Sequence, residues 1–393
     1  MVFDQQFWDE NGYVMIPNAV AQGNLQAVID AIWTYTGKDP HNPQTWYQEP
    51  LLEGAMVNMS NNQAMWDNRQ APELHKIFTE LWGTEKLWVV LDRTNLNPPV
   101  NEQWHYEGFL HWDMDPTRPP EPLFQGVLYL TDTTEAMGGF QCVPGSHRRL
   151  LEWQATHRPE EGMPPPGVAA RDWMMSKGNP IKEWVMQGLE RKSIPGKAGD
   201  FLLWNVALLH GNGKNVANQP RLAQYISMTP EGSARSKSLV YGGETLRQSR
   251  IDSWRCGPYP RIVADALGVP EGVANQWLRR LLDQAVDQVV GNVEDNPADL
   301  PAIPQPRCTP RLTAVQLQEL PALLAARRPW EDSAIVQAKT TSGQYGISGF
   351  FVAAELLSQQ VAELMKAQFG LSFNAQPAQL TPLGQKLLGL ERW

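Results

Sequence analysis

The sequence predicts a mainly β core of the sandwich or barrel type, flanked by helices. From Lys86 onward, short runs rich in β-branched and aromatic residues follow one another with turn signals between them. Helical spacing falls mostly before and after that stretch. Strands and helices do not alternate regularly, which argues against a doubly wound parallel sheet.

Phe3 to Asn11 predicts a short helix, and Gly12-Tyr13-Val14-Met15-Ile16-Pro17 a strand closed by a turn. Gln22 to Thr36 places Leu25, Val28, Ile29 and Ile32 near helical spacing and stops at Gly37. Residues 38–60 are polar, with Pro40, Pro43 and Pro50, and predict a long loop. Glu73 to Leu81 is helical again through Leu74, Ile77, Phe78 and Leu81. The strands follow: Leu87 to Leu91, Gln125 to Leu130, Phe140 to Pro144, Asp200 to Trp204, and Leu222 to Met228. A Pro- and Gly-bearing segment near 158–195 interrupts them, as an insertion covering a pocket would. Beyond about Arg250 the pattern turns helical, over Val273 to Val290 and Phe350 to Phe369, with a Pro-, Asp- and Asn-rich linker at 291–310. The expected organisation is therefore 1–258 for the β domain with its N-terminal helices, and 259–393 for a mostly helical extension. Leu312-Thr313 leading to Trp330, and Leu380-Thr381 leading to Trp393, form a weak internal echo.

With 393 residues, 42% of them hydrophobic, the chain can bury a sizeable core in one large domain or two. A net charge of −9 without a long basic run argues against nucleic acid or an anionic membrane as partner. The three cysteines (Cys142, Cys256, Cys308) are widely spaced and odd in number, which fits a reducing compartment. The N-terminal residues lack the pattern of a signal peptide, and no apolar run nears the ~18 residues needed to span a bilayer. A cytoplasmic protein, monomer or homodimer, acting on a small molecule is expected. Tryptophan is abundant, at 16 residues, so most indoles are read first as packing.

Two segments about a hundred residues apart carry the chemistry. Gly108-Phe109-Leu110-His111-Trp112-Asp113 ends an apolar approach with a His-x-Asp pair. Gly199 to Gly213 contains the best buried strand-like run, closing on His210, and Arg221 stands eleven positions later. Alternate strand residues point the same way, so His-x-Asp delivers two ligands to one face. Two His and one carboxylate with open positions is the ligand set of non-haem Fe(II) oxygenases.

With 7 His and 42 acidic residues, roughly one His-x-acid pattern arises by chance, so the motif alone proves nothing. His105-Tyr106-Glu107 competes, but lies in loop-like sequence between Pro98-Pro99 and Gly108. Asp115 alternates with His111 and Asp113 and is the fallback carboxylate. His41 and His157 read as solvated loop residues and His75 as a helix residue. His147, after the turn Pro144-Gly145-Ser146, reads as a side chain bonding to backbone. Without further context His210 is a core histidine and Arg221 a surface ion pair. Paired across a hairpin, Arg221 could hold a carboxylate by a bidentate fork.

These residues resemble the phytanoyl-CoA dioxygenase-like family of Fe(II)/2-oxoglutarate-dependent dioxygenases. Phe7 to Val20 is similar to its N-terminal helix and strand, and His111-Trp112-Asp113 to its His-x-Asp. Gly138 to His147 is similar to its mid-barrel strand and turn, and Gly199-Asp200 through His210, Asn215 and Arg221 to its distal part. The resemblance covers about residues 3–230. It implies a double-stranded β-helix (jelly roll, cupin-like), with Fe(II) on His111, Asp113 and His210 and the distal carboxylate of 2-oxoglutarate on Arg221. Asn95, Tyr129 and Asn212 are the further expected cofactor contacts.

The implied reaction uses O2, Fe(II) and 2-oxoglutarate, releases succinate and CO2, and hydroxylates an unactivated C–H. Because the acid of His-x-Asp is present, hydroxylation is expected over halogenation. Desaturation, cyclisation or epoxidation with the same cofactors is the alternative, and a non-catalytic cupin-like binding protein the more distant one. Trp104, Tyr106 and Trp112 suggest an apolar or ring-bearing substrate; Arg247, Arg250 and Arg255 follow the last barrel strand and could meet an anionic group, although a solvated charged face is the first reading. The closing Leu380 to Leu390 is similar to a tail of some bacterial members and fixes no substrate.

Overall fold

The computed structural model describes residues 4–233 except 49–51, 53, 61, 120–121, 169–172, 174–175 and 177, then 261, 264–265, 268–275 and 378–393. Helix α1 (Gln5–Asn11) starts where the Asp4 carboxylate accepts the Phe7 N–H at 3.0 Å. Strand β1 (Tyr13–Ile16) follows, then α2 (Gln22–Thr36), which buries Leu25, Val28 and Ile32. It stops at Gly37, whose φ of 66° lies in the left-handed region that favours glycine. The expected loop over 38–60 holds a short 3-10 turn, Pro43–Tyr47, and strand β2 (Met56–Val57). Helices α3 (Gln63–Arg69) and α4 (Pro72–Trp82) lead to β3 (Leu87–Val89) and β4 (Thr94–Asn97).

The remaining strands are β5 (Phe124–Tyr129), β6 (Phe140–Cys142), β7 (Lys192–Ser193), β8 (Phe201–Asn205), β9 (His210–Asn212), β10 (Arg221–Tyr225) and β11 (Met228–Pro230). Helices α5 (Ser146–Thr156) and α6 (Pro180–Met186) lie between β6 and β7, and α7 (Pro382–Leu388) near the C-terminus. Six strands form one antiparallel sheet in the order β1-β8-β5-β10-β4-β2. A smaller sheet runs β7-β6-β9. Residues 108–111 continue it beyond β9 through bridges Gly108↔Gly213 and His111↔His210. The third sheet is the pair β11-β3.

Strand alternation sorts the large sheet into two faces. Leu96, Leu128, Phe201, Leu203 and Leu222 pack with Leu25, Val28, Ile32, Leu74, Ile77 and Phe78 of the helices. Val127, Tyr129, Leu202, Trp204 and Ala223 face the other way and meet Phe140 and Cys142 of the small sheet. These apolar residues pack the two sheets together, and the candidate site forms among the polar residues beside them.

Several elements were not legible, among them β2, α3, β4, α5, α6 and β7. In β4, Asn95 and Asn97 are both fully buried, so this strand lacks the apolar alternation that marks a half-buried strand. Helix α5 follows a turn at Pro144-Gly145 and interrupts its apolar spacing with Arg148 and Arg149. Its His147 contacts the Asp9 carbonyl at 3.2 Å, the backbone role expected of it.

The last helix packs into the main core, with Leu387 and Leu388 fully buried. Trp393 stacks on His75 with centroids 5.5 Å apart and donates its indole N–H to the Leu87 carbonyl at 3.0 Å. The boundary at 258, the linker 291–310, Cys256, Cys308, and the helices expected over 273–290 and 350–369 lie wholly or largely outside the described residues. Among those residues, no helix is long and apolar enough to cross a membrane.

Candidate metal centre

His111 and His210 face each other because their backbones pair. The His111 N–H donates to the His210 carbonyl at 2.8 Å, and the His210 N–H returns to His111 at 3.1 Å. Two residues exchanging both bonds across an antiparallel ladder point their side chains to the same side. The ring centroids are accordingly 4.7 Å apart. Asp113, two residues after His111, brings its carboxylate to the same place. Its Oδ1 is 3.4 Å from His111 Nε2, and its Oδ2 3.6 Å from His210 Nε2. One ligand atom from each of the three lies within 4.8 Å of the others.

The backbone allows this only because residue 211 is glycine. A Cβ at Gly211 would run into the carbonyl oxygen of Phe109 on the adjacent segment. Gly211→Ala should therefore push the 108–111 segment away from β9 and separate the histidines. We expect a loss of about 1–3 kcal/mol in stability by urea unfolding, together with weakened metal binding. A variant as stable and as metal-competent as wild type would contradict this account of the pairing.

Proton positions suit metal binding. The Leu208 carbonyl, an acceptor only, lies 2.9 Å from His210 Nδ1. Nδ1 must then carry the proton, which leaves the Nε2 lone pair facing the site. Burial pushes the His111 imidazole down from its ordinary value, against the opposing pull of the Asp113 carboxylate, and the His210 and Lys182 charges add to the decrease. A neutral ring is the ligating form. For Asp113, burial pushes the carboxyl up, but the adjoining His111 and His210 imidazoles prevail and hold it well below the usual carboxylate range.

Deeper between the sheets stands Arg221, fully buried. Its Nη1 donates to Asn95 Oδ1 at 2.9 Å and to Asn212 Oδ1 at 3.4 Å, and the guanidinium lies 5.7 Å from the Tyr129 ring centroid. Nε and Nη2 have no hydrogen-bond partner among the described residues. These two nitrogens form one side-on edge of the guanidinium, the edge that matches both oxygens of a carboxylate. An arginine buried with neutral amides and an open fork lacks an anionic partner. Asn212 connects the two regions: it sits two residues after His210 and donates to the Tyr225 hydroxyl at 2.8 Å.

Other candidates fall away from this cluster. His105 is exposed. Asp115 accepts from Thr117 Oγ1 at 2.6 Å and pairs with Arg118 at 3.4 Å, while Glu107 pairs with Lys214 at 2.7 Å. His157 is not simply solvated, for it stacks on Trp153 with centroids 5.1 Å apart.

Trp112 must be corrected as a substrate contact. Lying between two ligands, it points the opposite way, is only 2% exposed, and donates to the Ala207 carbonyl at 2.9 Å. Trp104 is half-buried and stacks with Tyr106 at 5.9 Å. Arg247, Arg250 and Arg255 lie outside the described residues. Sequence reasoning missed Gln125, which donates to Asp113 Oδ2 at 2.7 Å, and Tyr225. The signal for both was alternation: Gln125 shares a strand face with Tyr129, and Tyr225 with Arg221.

Two imidazoles and one carboxylate, converging without a fourth side-chain ligand among the described residues, suit the mononuclear non-haem iron oxygenases. The chain belongs to the phytanoyl-CoA dioxygenase (PhyH) family, whose model it matches over residues 8–223, more than half its length. This is a family of Fe(II)- and 2-oxoglutarate-dependent oxygenases. The chain is 22% identical over 313 residues to a Dictyostelium discoideum protein provisionally named phytanoyl-CoA dioxygenase, covering 67% of this chain and 86% of that one. It is 25% identical over 163 residues to the ectoine dioxygenase of Bordetella parapertussis, covering 38% and 48% respectively. Among solved structures it is similar to the epimerase SnoN in complex with Fe3+, alpha ketoglutarate and nogalamycin RO. That match has a TM-score of 0.41 and 17% identity, and covers 60% of this chain and 88% of that one.

Proposed function

We propose that this chain is an Fe(II)- and 2-oxoglutarate-dependent dioxygenase that hydroxylates an unactivated C–H of a small molecule, releasing succinate and CO2. The observation that carries the reading is the pairing of an open three-ligand cluster with a buried guanidinium whose side-on edge is unused. His111, Asp113 and His210 would hold the metal. Arg221, steadied by Asn95 and Asn212 and backed by the Tyr129 ring, would take the distal carboxylate of 2-oxoglutarate. When bound, iron with 2-oxoglutarate and O2 supplies the oxidising power for C–H cleavage. The protein's share is positioning and exclusion of water. Phe140 and Trp204 pack against the His210 ring with centroids 5.9 and 5.1 Å away.

The two facing sheets support reading the core as a double-stranded β-helix, with 1–258 as the catalytic domain and 259–393 as an extension. The Trp104–Tyr106 stack supports an apolar or ring-bearing substrate. Anaerobic addition of Fe(II) and then 2-oxoglutarate should give a weak absorption band in the green. A metabolite screen should then find compounds that stimulate succinate formation. A protein that binds neither Fe(II) nor 2-oxoglutarate would refute the reading.

A further inference from the structure

We propose that Trp204 and Gln125 act as a positioning pair that holds Asp113 as a one-oxygen ligand, leaving the metal's remaining positions open. The inference rests on the metal reading above and adds residues to it.

Gln125 on β5 and Trp204 on β8 are direct cross-strand partners. Trp204 Nε1 donates to Gln125 Oε1 at 3.1 Å, and Gln125 Nε2 donates to Asp113 Oδ2 at 2.7 Å. An indole N–H can only donate, and an ionised carboxylate can only accept. The amide between them therefore has one favourable orientation: carbonyl toward Trp204, NH2 toward Asp113. Flipping it would set an N–H against an N–H and an oxygen against a carboxylate oxygen. The indole thus fixes the amide, and the amide fixes the carboxylate.

The consequence falls on coordination. Asp113 Oδ2 is occupied by a short, charge-assisted bond. Both oxygens face the cluster, Oδ1 3.4 Å from His111 Nε2 and Oδ2 3.6 Å from His210 Nε2, but only Oδ2 carries the amide N–H, so Oδ1 is the freer oxygen for a metal. A carboxylate binding through both oxygens would close one of the positions that a bidentate 2-oxo acid and O2 require. The same indole packs on the His210 ring at 5.1 Å and on Phe140 at 4.8 Å. One buried side chain, 3% exposed, therefore supports two of the three ligands by different means.

Co(II), whose visible spectrum reports ligand number and geometry, is the probe. Gln125→Leu keeps the approximate volume and removes the donor. It should weaken Co(II) binding by about 10–100-fold, the usual cost of losing an outer-shell partner, and alter the visible bands. Trp204→Phe keeps a ring against His210 and Phe140 but deletes the N–H, and should weaken binding by a smaller factor. Because the indole acts through the amide, the double variant should bind no more weakly than Gln125→Leu alone. Independent structural damage would instead give additive losses, and additivity overturns the proposal. So does wild-type Co(II) affinity in either single variant. If Gln125→Leu does not fold, the affinity and spectrum of Trp204→Phe decide, with unchanged values counting against the pair. A wild-type protein that binds no Co(II) removes the metal reading and this inference together. Wild-type binding with indifferent variants removes only the inference.

Discussion

His111→Ala, Asp113→Ala and His210→Ala should each abolish turnover, while His105→Ala keeps substantial activity. The three residues alone among the described side chains bring His, Cys, Asp or Glu ligand atoms within 4.8 Å of one another as a group of three, and His105 is exposed outside it. Losing a ligand should exceed the ~10–100-fold penalty typical of an outer-shell partner. Bound iron, measured on protein loaded anaerobically and then desalted, should fall along with activity. The variants should remain folded, because the His111–His210 pairing is made by backbone groups that alanine retains. Asp113→Gly should likewise lose hydroxylation, and its vacated position should admit a halide. Retained hydroxylation there would move the carboxylate role to Asp115 or Glu107. Both are occupied elsewhere, Asp115 with Thr117 and Arg118 and Glu107 with Lys214. Inactive His105→Ala with active His111→Ala would overturn the ligand assignment.

The candidate metal cluster was legible because its signals are local. A His-x-Asp spacing places two groups on one face wherever the backbone is extended, and His210 closes an apolar run that ends in Gly211-Asn212-Gly213. The same rule, applied to the residue between His111 and Asp113, turns Trp112 away from the site, which corrects its reading as a substrate contact. Helix α2 and its stop at Gly37 were legible for a similar reason: apolar spacing and a left-handed glycine lie within one segment. Strand β4 was not, since its buried asparagines serve Arg221 and the Gly138 and Gly213 carbonyls rather than an apolar core. Gln125 was missed because its partners lie 12 and 79 residues away in sequence. Only the pairing of β5 with β8 brings Trp204 opposite it. Periodicity shows which face a residue occupies, whereas the register between distant strands decides what it meets there.

Arg221→Ala should weaken 2-oxoglutarate binding by roughly two to three orders of magnitude while leaving iron affinity nearly unchanged. Arg221 is fully buried, and the edge formed by Nε and Nη2 has no partner among the described residues. A dicarboxylate entering this space gives up its water. Leaving its distal charge unpaired typically costs ~3–5 kcal/mol, and each ~1.4 kcal/mol is a factor of ten. Lysine should recover only part of the affinity, because an ammonium cannot offer two parallel N–H donors to one carboxylate. Iron affinity should be spared because Arg221 is not among the three converging residues; it contacts the side-chain oxygen of Asn212, two residues from His210, at 3.4 Å. The measurement is anaerobic titration of the Fe(II)-loaded protein with 2-oxoglutarate, followed by visible absorption. A non-catalytic binding protein of similar fold predicts something different: Arg221 would serve structure alone, and its loss would lower stability without a specific change in 2-oxoglutarate affinity. An Arg221→Ala variant that folds, loads iron and binds 2-oxoglutarate as tightly as wild type would therefore remove the cofactor assignment while leaving the metal centre intact.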